Sequence, residues 1–147
     1  MKTLVLGIGN LLLGDEGVGV HAARELLKED LPAKTKVLEV GTAILEALPV
    51  LETANRVIIL DAMKYEGEPG SIYSIPHYQC RGSRCIASMH GFDISKVLAL
   101  AGHGDSPEVL VLGVEPSYLG WSMELSPQVA EALPLLLEAV KRELKRN

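Results

Sequence analysis

The sequence is poor in cysteine, has no long hydrophobic run and carries no excess of positive charge. Its two cysteines are too few for the disulfide framework that holds many small secreted domains together. No stretch reaches the roughly 18 to 20 uninterrupted apolar residues that a membrane-spanning helix needs. The formal net charge is −5 at pH 7, whereas a general nucleic-acid-binding protein presents a basic face. We therefore expect a cytoplasmic protein that binds neither membranes nor nucleic acids.

The sequence contains enough apolar residues to build a hydrophobic core. Apolar residues make up 48% of its 147 residues and charged residues 22%, and this length predicts one domain over residues 1–147. The opening stretch MKTLVLGIGN runs directly into an acidic loop and has no small-residue cleavage pattern. It is therefore predicted to be a buried first strand and not a signal peptide.

Hydrophobic periodicity predicts strands that alternate with helices. The predicted strands are 3–8, 36–40, 56–60 (stopped by Asp61), 71–75 at a sheet edge, and 108–114. The predicted helices are 17–31, a short one near 44–48, 94–101, and one capped by Ser126 and kinked or divided at Pro134. This order predicts a three-layer α/β fold, with a twisted, mostly parallel sheet of about five strands and helices on both faces.

Ligands of such sheets bind at the carboxyl ends of the strands, so the loop GIGNLLLGDEGVGV after the first strand is the first candidate site. Gly7 and Gly9 suggest a dinucleotide-binding loop. However, Leu12 stands where the third glycine belongs, and two carboxylates follow where phosphate would lie. A non-enzymatic nucleotide- or metal-binding module, with Glu39 as a ribose ligand, stays open as an alternative.

Acidic residues and one histidine at the strand ends suggest a cation site. Asp15 and Glu16 would each stabilise the N-terminus of the next helix by about 0.3 to 1 kcal/mol, which is a purely structural role. Asp61, however, also follows an apolar strand, and His90 lies in a loop before a helix. Glu16, Asp61 and His90 together offer two carboxylates and an imidazole, which suit a divalent transition metal and leave coordination positions open.

A second metal arrangement competes with this one. His77, Cys80, Cys85 and His90 follow the spacing H-x2-C-x4-C-x4-H, and such a set can hold a tetrahedral zinc ion. The spacing differs from that of common zinc sites, and a chain with this much core does not need a metal ion to fold. No Ser/His/Asp or Cys/His nucleophile set is apparent in the sequence.

The motifs taken together resemble the hydrogenase maturation proteases, the endopeptidases that trim the C-terminus of the nickel-iron hydrogenase large subunit. The resemblance lies in GIGNLLLGDEGVGVHAARELL, VGT at 40–42, LDA at 60–62, SMHGFDI at 88–94, GVEP at 113–116 and SMELSP at 122–127. It implies a twisted sheet flanked by helices. It also implies that Glu16, Asp61 and His90 are the catalytic, metal-binding residues.

In this family the metal is thought to be nickel that the substrate already carries, so the resemblance implies no permanent cofactor. The implied partner is the precursor of the hydrogenase large subunit, and we expect the enzyme to act as a monomer. The chain departs from the family pattern at Glu39, where many members have aspartate, and in the cysteine-containing segment 77–87. Both departures leave the role of those residues open.

Overall fold

The computed structural model describes residues 2–80, 94–100 and 107–146. In these ranges five strands form one sheet in the order β2-β1-β3-β5-β4. The strands are β1 (Thr3–Ile8), β2 (Thr35–Gly41), β3 (Arg56–Ala62), β4 (Ile72–Pro76) and β5 (Glu108–Val114). All neighbours pair in parallel except β4, which lies antiparallel to β5 at the edge.

Helices cover both faces of this sheet. They are α1 (Val18–Leu26), α2 (Leu48–Leu51), α3 (Ile94–Leu100) and α4 (Pro127–Lys145), with short 3-10 turns at Gly14–Gly17, Ile44–Ala47 and His77–Gln79. Side chains alternate across β1, so that Val5 packs with α1 and α4 while Leu4 and Leu6 pack with α2 and α3. The predicted three-layer α/β fold is confirmed. Within the described ranges, none of the helices combines the length and apolar character that a bilayer span requires.

Three details of the predicted elements were wrong. β3 continues to Ala62, so Asp61 lies inside the strand and pairs with Gly113 of β5 instead of ending it. α1 ends at Leu26, about one turn before the predicted end, as the chain approaches Pro32, where the helical conformation is disfavoured. α4 is one continuous helix through Pro134, so the predicted division there does not occur, while the alternative, a kink, stays a prediction. Apolar side chains on both sides of the proline pack on the same sheet face.

Candidate active site

Two buried carboxylic residues, Glu16 and Asp61, lie together at the carboxyl edge of the sheet. Asp61 is 0% exposed in β3, and Glu16 is 3% exposed in the turn Gly14–Gly17 just before α1. Both border Gly9. A Cβ atom built on Gly9 would clash with the carbonyl oxygen of Glu16 and lie 3.7 Å from the Asp61 Oδ1 atom. Gly9 also has a φ of +122°, which glycine adopts without strain.

Close packing of α1 on the sheet delivers Glu16 to this edge. A Cβ atom on Gly19 would clash with the carbonyl oxygen of Leu60, and one on Gly7 would clash with that of Gly19. The helix backbone therefore lies directly against β1 and β3, which only glycine at these positions permits. This geometry gives Gly7 a role in helix packing, in contrast to the phosphate-binding role that the dinucleotide alternative requires.

Asp61 and Glu16 both supply oxygen atoms that suit a cation. The Oδ1 atom of Asp61 accepts a hydrogen bond of 2.8 Å from the backbone N–H of Ala62, which orients the carboxylate at the strand end. His90, the third predicted ligand, lies outside the described residues. Among the residues that are described, no three His, Cys, Asp or Glu side chains are placed to hold a metal ion. The set of three therefore stays a prediction.

Of the four residues in the zinc alternative, two are among the described residues and two are not. His77 opens the 3-10 turn His77–Gln79, and Cys80 follows it, half-buried, with its Sγ atom 3.9 Å from the carbonyl oxygen of Pro76. Cys85 and His90 lie outside the described residues. That arrangement also stays open.

Asp15 has a structural role that the sequence did not indicate. It is 0% exposed, and its carboxylate accepts four hydrogen bonds, each 2.8 Å long, from the segment after β5. The donors are the backbone N–H groups of Ser117, Tyr118 and Ser126 and the Ser126 hydroxyl. Ser126 is the N-cap residue of α4, as predicted, with proline in the first turn, but its hydroxyl donates to Asp15 and makes no capping hydrogen bond. Both Asp15 oxygens are occupied in joining two loops.

Backbone hydrogen bonds reinforce this junction. The Gly14 N–H donates to the Ser122 carbonyl and the Asp15 N–H donates to the Tyr118 carbonyl, each at a distance of 2.8 Å. The Ser122 N–H donates to the Leu12 carbonyl over 2.9 Å. Residues 10–14 and 117–126 therefore form one braced pair of loops beside Glu16.

Glu115 is another buried carboxylate at this edge with a structural role. Its Oε1 atom accepts hydrogen bonds from the backbone N–H groups of Tyr65 and Gly67 and from the Tyr73 hydroxyl, over 2.8 to 3.0 Å. It therefore holds the turn between β3 and β4. Asp15 and Glu115 thus hold loops, and Glu16 and Asp61 are the two residues at this edge to which the sequence resemblance assigns chemistry.

A cleft of about 290 Å³ opens beside Gly9 between the ends of β1 and β2. Its lining residues are Gly9, Asn10, Leu11, Val20, Glu39, Val40, Gly41 and Thr42. The Glu39 Oε1 atom accepts a 2.7 Å hydrogen bond from the Arg24 Nη2 atom, and this bond raises the pKa of the arginine. Glu39 thus presents to the cleft a carboxylate that is already paired with a cation.

His21 lies on α1 beneath the loop at 117–126. Burial lowers the pKa of its imidazole, and the nearby positive charge of Arg24 lowers it further. A hydrogen bond with the Met123 backbone and the negative charges of Glu25 and Glu39 raise the pKa, but by less. Its buried Nε2 atom has no hydrogen-bond partner within the described residues. The folded protein therefore favours the neutral imidazole.

Comparison with known proteins gives consistent matches over the whole chain. The sequence model described as hydrogenase maturation protease matches residues 20–143. The chain is 33% identical to the hydrogenase expression/formation protein HupD of Rhodobacter capsulatus, over 98% of this chain and 71% of that protein. It is 32% identical to the hydrogenase 2 maturation protease of Escherichia coli, over 100% and 93%. The solved hydrogenase maturating endopeptidase HybD from E. coli superposes with a TM-score of 0.83 at 30% identity, over 99% and 93%.

Proposed function

The chain belongs to the hydrogenase maturation protease family, and on this premise we propose that it removes the C-terminal extension of a nickel-loaded hydrogenase large subunit. The family resemblance predicted from the sequence is confirmed, and with it the enzyme class, a peptidase. The finer proposal concerns the substrate and the role of nickel. The observation that carries it is the pair of buried residues Glu16 and Asp61, whose backbone carbonyl oxygen and Oδ1 atom, respectively, both lie close to Gly9.

The chemistry of two buried carboxylic residues at one edge of the sheet supports a cation there. Carboxylate oxygens together with an imidazole suit a divalent transition metal. In our proposal, Glu16 and Asp61 bind nickel that arrives with the precursor, with His90 as the third ligand.

The proposed chemistry is hydrolysis of one peptide bond next to the bound nickel. The metal would polarise the scissile carbonyl or activate a water molecule, and a carboxylate of the site would accept the water proton and return it to the leaving amine. Water adds to the carbonyl carbon and the C–N bond breaks, so that a new carboxylate and a new amine result. Three protein ligands leave coordination positions for the precursor's own ligands.

The direct test is incubation of the purified protein with nickel-loaded and nickel-free large-subunit precursor. Mass spectrometry of the precursor would detect loss of the C-terminal extension. We expect cleavage of the nickel-loaded form alone. Equal cleavage of the two forms would exclude nickel recognition while leaving the protease function intact.

Site variants test two of the three residues separately. His90→Ala and Asp61→Asn should fold and fail to process the precursor. Asn is preferred to Ala at Asp61, because this buried residue accepts a hydrogen bond from Ala62 that an amide oxygen can keep. The matched control is Glu46→Gln, an exposed carboxylate in the turn Ile44–Ala47, which should cleave at the wild-type rate. Processing by folded Asp61→Asn would mean that the pair is structural.

A further inference from the structure

An exposed apolar surface lies on the loops that carry Glu16. We define the apolar rim as Leu12, Tyr118, Trp121 and Met123, whose exposed fractions are 48%, 51%, 78% and 60%. The two loops run side by side, because Leu13 and Ser122 form a parallel bridge and the Ser122 N–H donates to the Leu12 carbonyl. The four side chains therefore belong to one continuous region of the surface.

The composition of the rim is that of a protein interface. Residues 10–13 and 117–123 contain no charged residue, although the chain has 14 basic and 19 acidic residues. The cores of protein interfaces are depleted in charge and enriched in Trp, Tyr and Met. Other exposed apolar side chains, such as Leu27, Leu45 and Leu135, lie singly on separate elements and need no such explanation.

The rim is also held in shape before any partner binds. Asp15 fixes residues 117, 118 and 126 with four hydrogen bonds, and three backbone bonds join the loops. An interface formed by ordered side chains on a fixed backbone loses little conformational entropy on association.

We propose that the apolar rim docks the folded part of the precursor polypeptide, next to the tail that is cut. This inference rests on the proposed function, because it concerns the same substrate. The occupant follows from continuity with the site. The Glu16 N–H donates to the Leu13 carbonyl over 3.1 Å, and residues 10 and 11 line the cleft beside Gly9. In our proposal, a polypeptide whose scissile bond reaches Glu16 lies next to these loops, and its folded part covers the rim.

The single tryptophan of the chain provides a direct test. The wild-type protein is labelled with 5-fluorotryptophan, and unlabelled nickel-loaded precursor is added in excess at low temperature, so that cleavage is slow during the measurement. We expect the one 19F resonance, from Trp121, to shift or broaden. In unlabelled protein, Trp121→Ala and Met123→Ala should each raise KM about tenfold with little change in kcat. The control Leu135→Ala removes a side chain that is 56% exposed on α4 and should change neither.

Each outcome bears on a different claim. Wild-type cleavage together with an unchanged resonance and unchanged KM in both variants would overturn docking at the rim and leave the proposed function standing. Absence of cleavage by the wild-type protein would overturn the proposed function itself. A resonance that moves when the labelled protein alone is concentrated would assign the rim to contact between two copies of this chain, and would overturn the precursor as its occupant.

Discussion

Replacing Asp15 by alanine should destabilise the fold and disable the site at once. The substitution removes the four hydrogen bonds that the Asp15 side chain accepts from residues 117–126. It leaves the backbone N–H groups of Ser117, Tyr118 and Ser126 without their acceptor. The change is local, since none of these groups belongs to the sheet.

The magnitude follows from the number of bonds and the access of water. A hydrogen bond to a charged group contributes about 1.5 to 3 kcal/mol, and an unsatisfied buried donor costs about 1 to 3 kcal/mol. Ser117 and Tyr118 are exposed residues, so water can replace part of what is lost. We expect Asp15→Ala to lower the free energy of unfolding by about 2 to 4 kcal/mol, out of a typical total of about 5 to 15 kcal/mol. Asp15→Asn should lose less, because one oxygen can still accept.

Urea unfolding followed by Trp121 fluorescence and circular dichroism measures this free energy. The kcat for precursor cleavage, measured at urea concentrations below the unfolding transition, reports on the site. We expect kcat to fall in the folded fraction of Asp15→Ala, because Glu16 has lost its brace. The control is Glu124→Ala, which removes an exposed carboxylate from the same loop. A change of less than about 0.5 kcal/mol for Asp15→Ala, the usual range of surface substitutions, would refute the assignment.

Two further predictions concern stability away from the site. Arg56 is 3% exposed, and its Nη2 atom lies 2.6 Å from the Glu143 Oε2 atom. Arg56→Ala should lower the free energy of unfolding, measured with a chemical denaturant, by about 3 kcal/mol. Arg56→Met should lower it less, because methionine keeps the apolar contacts of the side chain. The lowered pKa of His21 means that the unfolded chain binds a proton more readily than the folded one, so this group's stabilising effect is lost as pH falls below its ordinary value of 6.5. Unfolding free energies measured from pH 7 to 5 should therefore fall less steeply in His21→Gln, and identical slopes would contradict this assignment.

The sequence predicted those parts of the fold that depend on local pattern. The bounds of β1 and β5 agree with the prediction, because each is a short apolar run limited by turn-forming residues. The end of β3 was misjudged at Asp61, since a charged residue within a strand is unusual unless the site requires it. That misplacement is itself informative, because it marks a carboxylate held inside the sheet.

The candidate site was only partly predictable, for a physical reason. Glu16 and Asp61 came from their position at strand ends and from the family resemblance. Asp15, one residue before Glu16, has the same chemistry, and its different role depends on donors 102 to 111 residues away in the sequence. Ser126 shows the same effect, because its position at the start of α4 was predicted from local pattern while the distant partner of its hydroxyl, Asp15, was not. No local pattern carries that information.

The bonds of Asp15 also determine when during synthesis the site can take shape. Asp15 leaves the ribosome more than a hundred residues before its hydrogen-bond donors do, since Ser117 and Ser126 lie 102 and 111 residues after it. At about 5 to 20 residues per second, this delay is roughly 5 to 20 s. Contacts at such separation form late, after local structure. A partly synthesised chain therefore carries the acidic residues without the hydrogen bonds that position them, and we expect peptidase activity only after Ser126 has been synthesised and has reached Asp15.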